Sequence, residues 1–401
     1  MKRLSVASFI GVLSIFSSAH GIADTMDEQA TELANRLTIV DTHIDVPYRV
    51  FLRYEDVSDT TLNGDFDFPR AVAGGLDVPF MAIYVPAESE ASGTAFSLAN
   101  LMIDSVQQLV VKAPEKFSLA STVSAAENAK AQGKIALAMG IENGSPVMWD
   151  LDNVRHFHER GIRYITLTHS KSNHIADSSY DESRPWQGLS PFGKKLVIEM
   201  NRIGIMIDIS HSSDQAFFNV LEISQTPIIA SHSSARHFTP GFERNMSDEM
   251  IIALAASGGV IQINFGSAFL TPDANLWRST FNAARIAFRK EHDISDAEDP
   301  AVRAFEYQYR EAYPYPYASL ENVLDHIDHV VSLVGIDHVG IGSDFDGVGD
   351  TLPPLLKDVS GFPNLIKGLL GRDYHEQDIQ KILSGNLFRV WREIEEYAAH
   401  Y

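Results

Sequence analysis

The amino-acid sequence predicts an α/β fold: a (β/α)8 TIM-like barrel with a helical insertion between strands seven and eight and a C-terminal helix. Three observations carry that prediction. Eight short β-branched runs alternate with stretches of helical period. The runs are almost continuously apolar, as strands covered on both faces of a parallel sheet are. Six of the eight end in His, Asp or Glu, and a barrel gathers such ends at one mouth, where the active sites of this fold sit.

In chain order the expected strands are Leu37–Asp45, Val78–Val85, Ile135–Glu142, Tyr164–His169, Ile205–His211, Ile228–His232, Val260–Phe265 and His338–Asp344. Helical patterns lie between them at Phe96–Lys112, Ala125–Gln132, Asp150–Arg160, Pro191–Ile203, Asp214–Ile223 and Ser247–Ala256. Eight strand–helix units favour a closed barrel over an open doubly wound sheet. No Gly-x-Gly-x-x-Gly follows any strand, which weakens a dinucleotide site. Asn275–Pro316, rich in charge and aromatics, reads as the insertion, either covering the mouth or serving packing or subunit contact. Gln377–Tyr397 reads as an amphipathic helix, with Ile379, Ile382, Leu383, Leu387, Val390, Trp391 and Ile394 on one side. No linker divides the chain, so residues 24–401 are expected to form a single metallohydrolase domain.

Composition narrows the function. The chain has 401 residues, of which 45% are hydrophobic and 21% charged, a globular balance that excludes disorder. With 32 basic against 53 acidic residues the net charge is −21, so a nucleic-acid partner, which needs a basic face, is excluded. The absence of cysteine removes disulfides, thiolate zinc sites, iron–sulfur clusters and a Cys nucleophile together. At the N-terminus, basic Lys2-Arg3, an apolar run from Leu4 to Phe16 and the small-x-small site Gly21-Ile-Ala23 read as a signal peptide over residues 1–23. The expectation is a secreted or periplasmic protein with no membrane anchor, since the C-terminus ends in polar Tyr397-Ala-Ala-His-Tyr401.

The ligand-type residues converge. His43-x-Asp45 has the spacing of two that puts both side chains on one face of a strand. Glu142, His211 and His232 end three further strands. The string Ser-His-Ser-Ser occurs twice, with its histidines at His211 and His232. Five such groups in a packed barrel mouth would be costly without a common partner, and a divalent cation is that partner. Five ligands are too many for one three-ligand catalytic zinc, so the count points to two metals, sharing a water and clamping an oxyanion.

Taken together, Asp41-Thr-His-Ile-Asp45, Gly140-Ile-Glu-Asn-Gly144, Thr166-Leu-Thr-His169, Ile209-Ser-His-Ser-Ser213, Ala230-Ser-His-Ser-Ser-Ala235 and Gly342-Ser-Asp-Phe-Asp-Gly347 resemble the membrane (renal) dipeptidase family, zinc dipeptidases of the amidohydrolase-like barrel class. The likeness runs from about Leu37 to Arg392 with the motifs in the same order. It implies two Zn2+ per chain, His43 and Asp45 on one, His211 and His232 on the other, and Glu142 bridging. It implies hydrolysis of dipeptides through a metal-bridging hydroxide, with His169 contacting substrate, Arg244 binding its carboxylate, and Asp344 near its amine and handling the proton. It also implies a homodimer and tolerance of a C-terminal D-residue. Two departures bear on substrate preference. Asn264-Phe-Gly-Ser-Ala-Phe269 lacks a tyrosine expected there, and the 275–316 insertion is longer than in mammalian members.

Other readings stay open on the residues alone. They are a barrel hydrolase of lactones, amides or phosphodiesters, and a non-catalytic zinc-binding relative. A serine hydrolase is disfavoured for want of a Gly-x-Ser-x-Gly elbow. Arg244 is alternatively an ion-pair partner of Glu243 or Asp248. His174 and Asp177 are candidates for lining the mouth. His326 and His329 are expected on a solvated helix face, and His237 shows no partner pattern.

Overall fold

The structure, a computed structural model, describes residues 13–297 and 299–401, with the backbone alone for residues 13–24. The leader expected over residues 1–23 therefore falls outside the described side chains. A helix spans Leu13–Arg36 and packs Ala30, Leu33 and Ala34 into the main core.

Nine strands follow: β1 (Ile39–Ile44), β2 (Leu76–Tyr84), β3 (Phe117–Leu119), β4 (Ile135–Glu142), β5 (Ile162–Thr166), β6 (Met206–Asp208), β7 (Ile229–Ser233), β8 (Val260–Ile263) and β9 (Val339–Ile341). Eight form one all-parallel sheet in the order β1-β2-β4-β5-β6-β7-β8-β9. The sheet closes on itself just past β9. Ile44 and Phe345 form a parallel bridge, and Asp45 N–H donates to the Phe345 carbonyl at 2.9 Å. The predicted barrel is present, with each of the eight strands close to its expected place.

The continuous burial of these strands follows from their two covers. Outside, the helices pack one large apolar cluster against the sheet. Inside, Val40, Phe80, Ala138, Tyr164, Met206, Ile229 and Val260 form a second cluster with Leu387, Phe388, Trp391 and Ile394 of the C-terminal segment. Trp391 is fully buried, its ring 5.3 Å from Phe80. The C-terminal helix thus plugs one end of the barrel and leaves the other as the mouth. That helix departs from the sequence reading in one respect. Glu376–Gln380 and Asn386–Ala398 are joined by a π-turn at Lys381–Gly385.

β3 was not foreseen. It pairs with the first half of β4, Phe117 to Ile135 and Leu119 to Leu137, where β2 gives no partner; three residues carry no readable period. Caps account for several helix starts. Ser190, Ser213, Ser247 and Thr271 each accept from the N–H three residues on, satisfying a donor that the first turn leaves free. The insertion between β8 and β9 is helical, as expected, with helices at Pro272–Glu291 and Pro300–Ala312.

Candidate metal centre

All five predicted ligands meet at the mouth. Glu142, at the last position of β4, is the hub. Its Oε2 lies 3.5 Å from His43 Nε2. Its Oε1 lies 3.0, 3.3 and 3.5 Å from the Nε2 atoms of His211, His232 and His169. Asp45 Oδ2 stands 3.4 Å from His43 Nε2, and Asp344 shares a group of close ligand atoms with both. Four imidazoles, rather than three, face the carboxylate. His232 is close to both sides, its ring 3.7 Å from that of His43 and its Nε2 2.9 Å from that of His211. His43 and Asp45 meet as expected but not through a regular pleat. The β1 register slips between Asp41 and Ile44, and Asp45 already stands at the N-cap position of the helix Val46–Leu52, its side chain making no capping bond.

The imidazoles are held from behind. The Tyr164 hydroxyl is 2.9 Å from His43 Nδ1, which leaves Nε2 facing the carboxylates. Gly140 makes room for that ring; a Cβ there would lie 2.1 Å from Tyr164. His232 Nδ1 is 2.7 Å from Ser231 Oγ, which donates to Asp208 Oδ2 at 2.6 Å. Such outer partners fix ring orientation in metal sites. The order Asp–Ser–His also disposes of a serine nucleophile, because this hydroxyl is fully buried and spent on positioning. The twin Ser-His-Ser-Ser strings serve different ends. Ser213 caps a helix, Ser233 accepts from Arg244, and Ser234 donates to the Asn264 carbonyl.

The backbone is strained here. His211 has φ 68° and Asp344 φ 66°, left-handed values that cost roughly 1–3 kcal/mol in a residue with a side chain. Gly347 permits the close approach of the acids, since a Cβ there would lie 2.3 Å from both Asp344 Oδ1 and Asp45 Oδ2.

Electrostatics point to a cation. Burial raises the Glu142 carboxyl, but the charges of His43 and His169 and the bonds from His211 and His232 outweigh it and hold it well below the carboxylate range. Burial keeps His211 and His232 neutral. Burial pushes Asp45 up to about 8 and Asp41 up to about 7. His43 Nε2 is buried with no hydrogen-bond partner. The neutral imidazoles of His211 and His232, closely set acids and the orphaned Nε2 of His43 are the donor set of a borderline divalent ion, and the residues fit one or two zinc ions.

A pH dependence follows. Without metal, Asp41 and Asp45 hold protons more tightly in the folded than in the unfolded chain. The stability they contribute is complete below the ordinary carboxylate value of 3.8 and is lost as pH rises through about 7 and 8. Of the two only Asp45 is a ligand; metal displaces its proton, so binding strengthens as pH rises towards about 8. The gap in Tm between zinc-loaded and chelated protein should therefore be wider at about pH 8.5 than at about pH 5.5. A constant or shrinking gap would count against this charge balance.

The mouth opens into a cavity of about 900 Å³. Asp45, Glu142, His169, His211 and Asp344 lie on its wall with Tyr48, Tyr84, Tyr180, Phe269 and residues of the insertion. The insertion thus covers the mouth. Asp344 Oδ2 accepts from Asn264 Nδ2 at 2.7 Å, so the asparagine that opens the stretch lacking the expected tyrosine braces this acid. Arg244 is buried but not on the cavity wall. Its guanidinium lies 5.3 Å from the Phe269 ring, which is. It donates to Ser233 Oγ at 2.8 Å and the His232 carbonyl at 2.7 Å, and its Nε has no partner. The alternative ion pairs do not form. Glu243 pairs with Arg184, and Asp248 with His329.

Other expectations need correction. His174 and Asp177 brace the loop instead of lining the mouth. His174 meets Glu90 at 2.9 Å, and Asp177 accepts from Trp186 and Gly188 N–H. His326 is fully buried rather than solvated, accepting from Ala235 N–H on one nitrogen and meeting the Leu270 carbonyl with the other. His237, given no partner, stacks on His329 at 4.3 Å. The sequence reading also missed Tyr164, Asp208 and Tyr180. Only Asp208, at a strand end, left a trace in the pattern.

A closed parallel barrel carrying a carboxylate-centred, four-imidazole cluster at its mouth defines a metal-dependent hydrolase of the amidohydrolase-like class. Residues 27–401 match the family model described as membrane dipeptidase, peptidase family M19, and the chain belongs to that family of zinc metallopeptidases. It is 32% identical to dipeptidase tcpJ of Claviceps purpurea over 88% of this chain and 74% of that protein. Among solved structures it resembles the probable dipeptidase PvdM from Pseudomonas aeruginosa, with TM-score 0.79, 28% identity and coverage of 94% and 100% of the two chains. It also resembles a metallopeptidase from Rhodobacter sphaeroides liganded with a phosphinate mimic of the dipeptide L-Ala-D-Ala, with TM-score 0.72, 26% identity and coverage of 89% and 99%.

Proposed function

We propose that this zinc-dependent dipeptidase holds two Zn2+ and works as an exported enzyme, with residues 24–401 as its one catalytic domain. The observation that carries the two-ion reading is the division of Glu142. One oxygen faces His43 and the other faces His211, His232 and His169, as a carboxylate between two cations requires. His43 and Asp45 would hold one ion and His211 and His232 the other. Two bound ions would acidify a shared water and polarise the scissile carbonyl.

The chain's own residues supply the rest. His169, on the cavity wall beside the ligands, stabilises the oxyanion that forms at the carbonyl. Asp344 takes the proton of the attacking water on Oδ1, Oδ2 being held by Asn264, and passes it to the departing amine. Glu142 is committed to the metals and is not the base. Arg244 binds the substrate carboxylate. Its fork retains unspent donors, and burial without an acidic partner favours an anion. The relative solved with an L-Ala-D-Ala mimic supports acceptance of a D-residue on the C-terminal side.

Export rests on the leader pattern of residues 1–23. Among the described residues no helix is long and apolar enough to cross a membrane. A mature N-terminus near Asp24 is the signature of this proposal. The homodimer implied by the resemblance is part of the same reading and is read from the mass in solution. The central test is a panel of L-L and L-D dipeptides, with and without chelator, on protein whose zinc has been counted. About two equivalents and chelator-sensitive cleavage are expected. Full activity with one equivalent would remove the bridged site.

A further inference from the structure

The cavity holds cations that the dipeptidase reading does not use. The insertion contributes Arg278 and Arg310 to its wall, and neither has a carboxylate within 4.0 Å among the described residues, although the chain carries a net charge of −21. By contrast Arg49 pairs with Glu55 and Asp346, and Arg285 with Glu306. Asp350, which faces Arg310, is taken by Lys357 at 2.6 Å.

Arg278 is half-buried and its position is fixed. Its guanidinium lies 4.6 Å from the Phe242 ring, 5.6 Å from Phe269 and 5.7 Å from Tyr180. One of its five donors reaches the Tyr180 hydroxyl at 3.2 Å, and among the described residues no other bond occupies the rest. A planar cation held on aromatic faces with free N–H groups turned into a cavity is a receptor for a planar anion.

Its place tells which end of the substrate it meets. Arg278 and Arg244 lie against the same ring, Phe269, at 5.6 and 5.3 Å. Tyr180 connects Arg278 to the His211 side of the centre, 5.8 Å from that imidazole. Asp344 belongs to the other side, grouped with His43 and Asp45. With the substrate amine at Asp344 and its main-chain carboxylate at Arg244, the C-terminal side chain extends towards Arg278. A cavity of about 900 Å³ has room for that side chain beyond the two backbone ends.

We propose that Arg278 forms an anion subsite for a second carboxylate, the acidic side chain of the substrate's C-terminal residue, with Arg310 adding positive charge at the rim. This rests on the dipeptidase reading and deepens it. The enzyme then favours dipeptides ending in Glu or Asp.

The test compares kcat and KM of zinc-loaded wild type, Arg278→Gln and Arg278→Lys on Ala-Glu, Ala-Gln and Ala-Ala, each with an L- or a D-residue at the C-terminal position. In wild type Ala-Glu should exceed Ala-Gln by about tenfold or more in kcat/KM, carried by KM, the gain of a charge-assisted pair. Arg278→Gln should bring that ratio near one and leave Ala-Ala within about twofold, which also shows that the variant is folded. Arg278→Lys should keep part of the preference. Cleavage of Ala-Ala with no preference for Ala-Glu overturns the subsite alone. An equal loss on all three substrates in Arg278→Gln also overturns it, because the arginine would then read the main-chain carboxylate. Failure to cleave any dipeptide overturns the dipeptidase reading and the subsite with it.

Discussion

On the two-ion reading proposed above, Glu142→Ala is expected to lose both zinc ions and essentially all turnover while the barrel stays folded. Among the described residues the carboxylate is the one acid within 3.5 Å of His43, His169, His211 and His232 together, so its removal undoes both sides of the centre at once. The loss should exceed the roughly 10–100-fold that follows removal of an outer partner of a metal ligand. Glu142→Gln separates charge from shape. It keeps the volume and one carbonyl oxygen, but it cannot neutralise two cations, and its amide N–H2 would face an imidazole. Zinc content by elemental analysis and turnover of a dipeptide, measured on the same preparation, decide the matter. An active Glu142→Ala protein that retained two equivalents would remove the central role assigned to this residue.

The second large effect concerns Arg244. A dipeptide has its amine and carboxylate only two residues apart, and an enzyme that reads both ends is a length ruler. The guanidinium fork matches a carboxylate in two bonds and stays charged at any working pH. Arg244 is anchored to Ser233 and the His232 carbonyl beside the lining ring of Phe269, so it is already ordered for a carboxylate that reaches past that ring. Arg244→Ala should cost about 2–5 kcal/mol of substrate binding, about 30- to several-thousand-fold in kcat/KM, with zinc content unchanged. Arg244→Lys should restore only part, since a point charge cannot reproduce the fork. The decisive comparison uses dipeptide amides, which lack the carboxylate. Wild type should discriminate against them, and Arg244→Ala should not. Equal cleavage of amides and free dipeptides by wild type would leave a general amide hydrolase in place of the ruler.

The barrel and its metal ligands were legible because both are written at fixed positions along the chain. The eight expected strands match the eight of the closed sheet, and His43, Asp45, Glu142, His211 and His232 stand at or just beyond strand ends, where a parallel barrel must gather them. What stayed hidden depends on contacts between distant segments. Tyr164 looks like any apolar strand residue until folding sets its hydroxyl against His43. His326 sits on an amphipathic helix and was read as solvated, yet it is spent between Ala235 and Leu270, two partners that only the fold brings near. The rim arginines of the insertion were equally opaque: the segment reads as a cover of the mouth or a packing element, and nothing in its charge pattern tells which side chains face the cavity. Arg244 was found only through the family resemblance; a lone arginine in a loop carries no period and no spacing.

Closure of the sheet has a kinetic consequence. The seam that completes the barrel joins groups far apart in the chain, as in the bond from Ser343 N–H to Asp41, across 302 residues. Such pairings must be reached after most loop-closure entropy has been spent, and a topology dominated by them folds slowly. One half of the zinc cluster arrives with the first strand, while Asp344 and the plugging Trp391 arrive with the last elements. An incomplete chain therefore presents histidines and acids without the cage that organises them, and high-affinity zinc capture becomes a late event that coincides with closing the seam. Metal uptake in a refolding experiment should follow the slowest phase and not the early collapse.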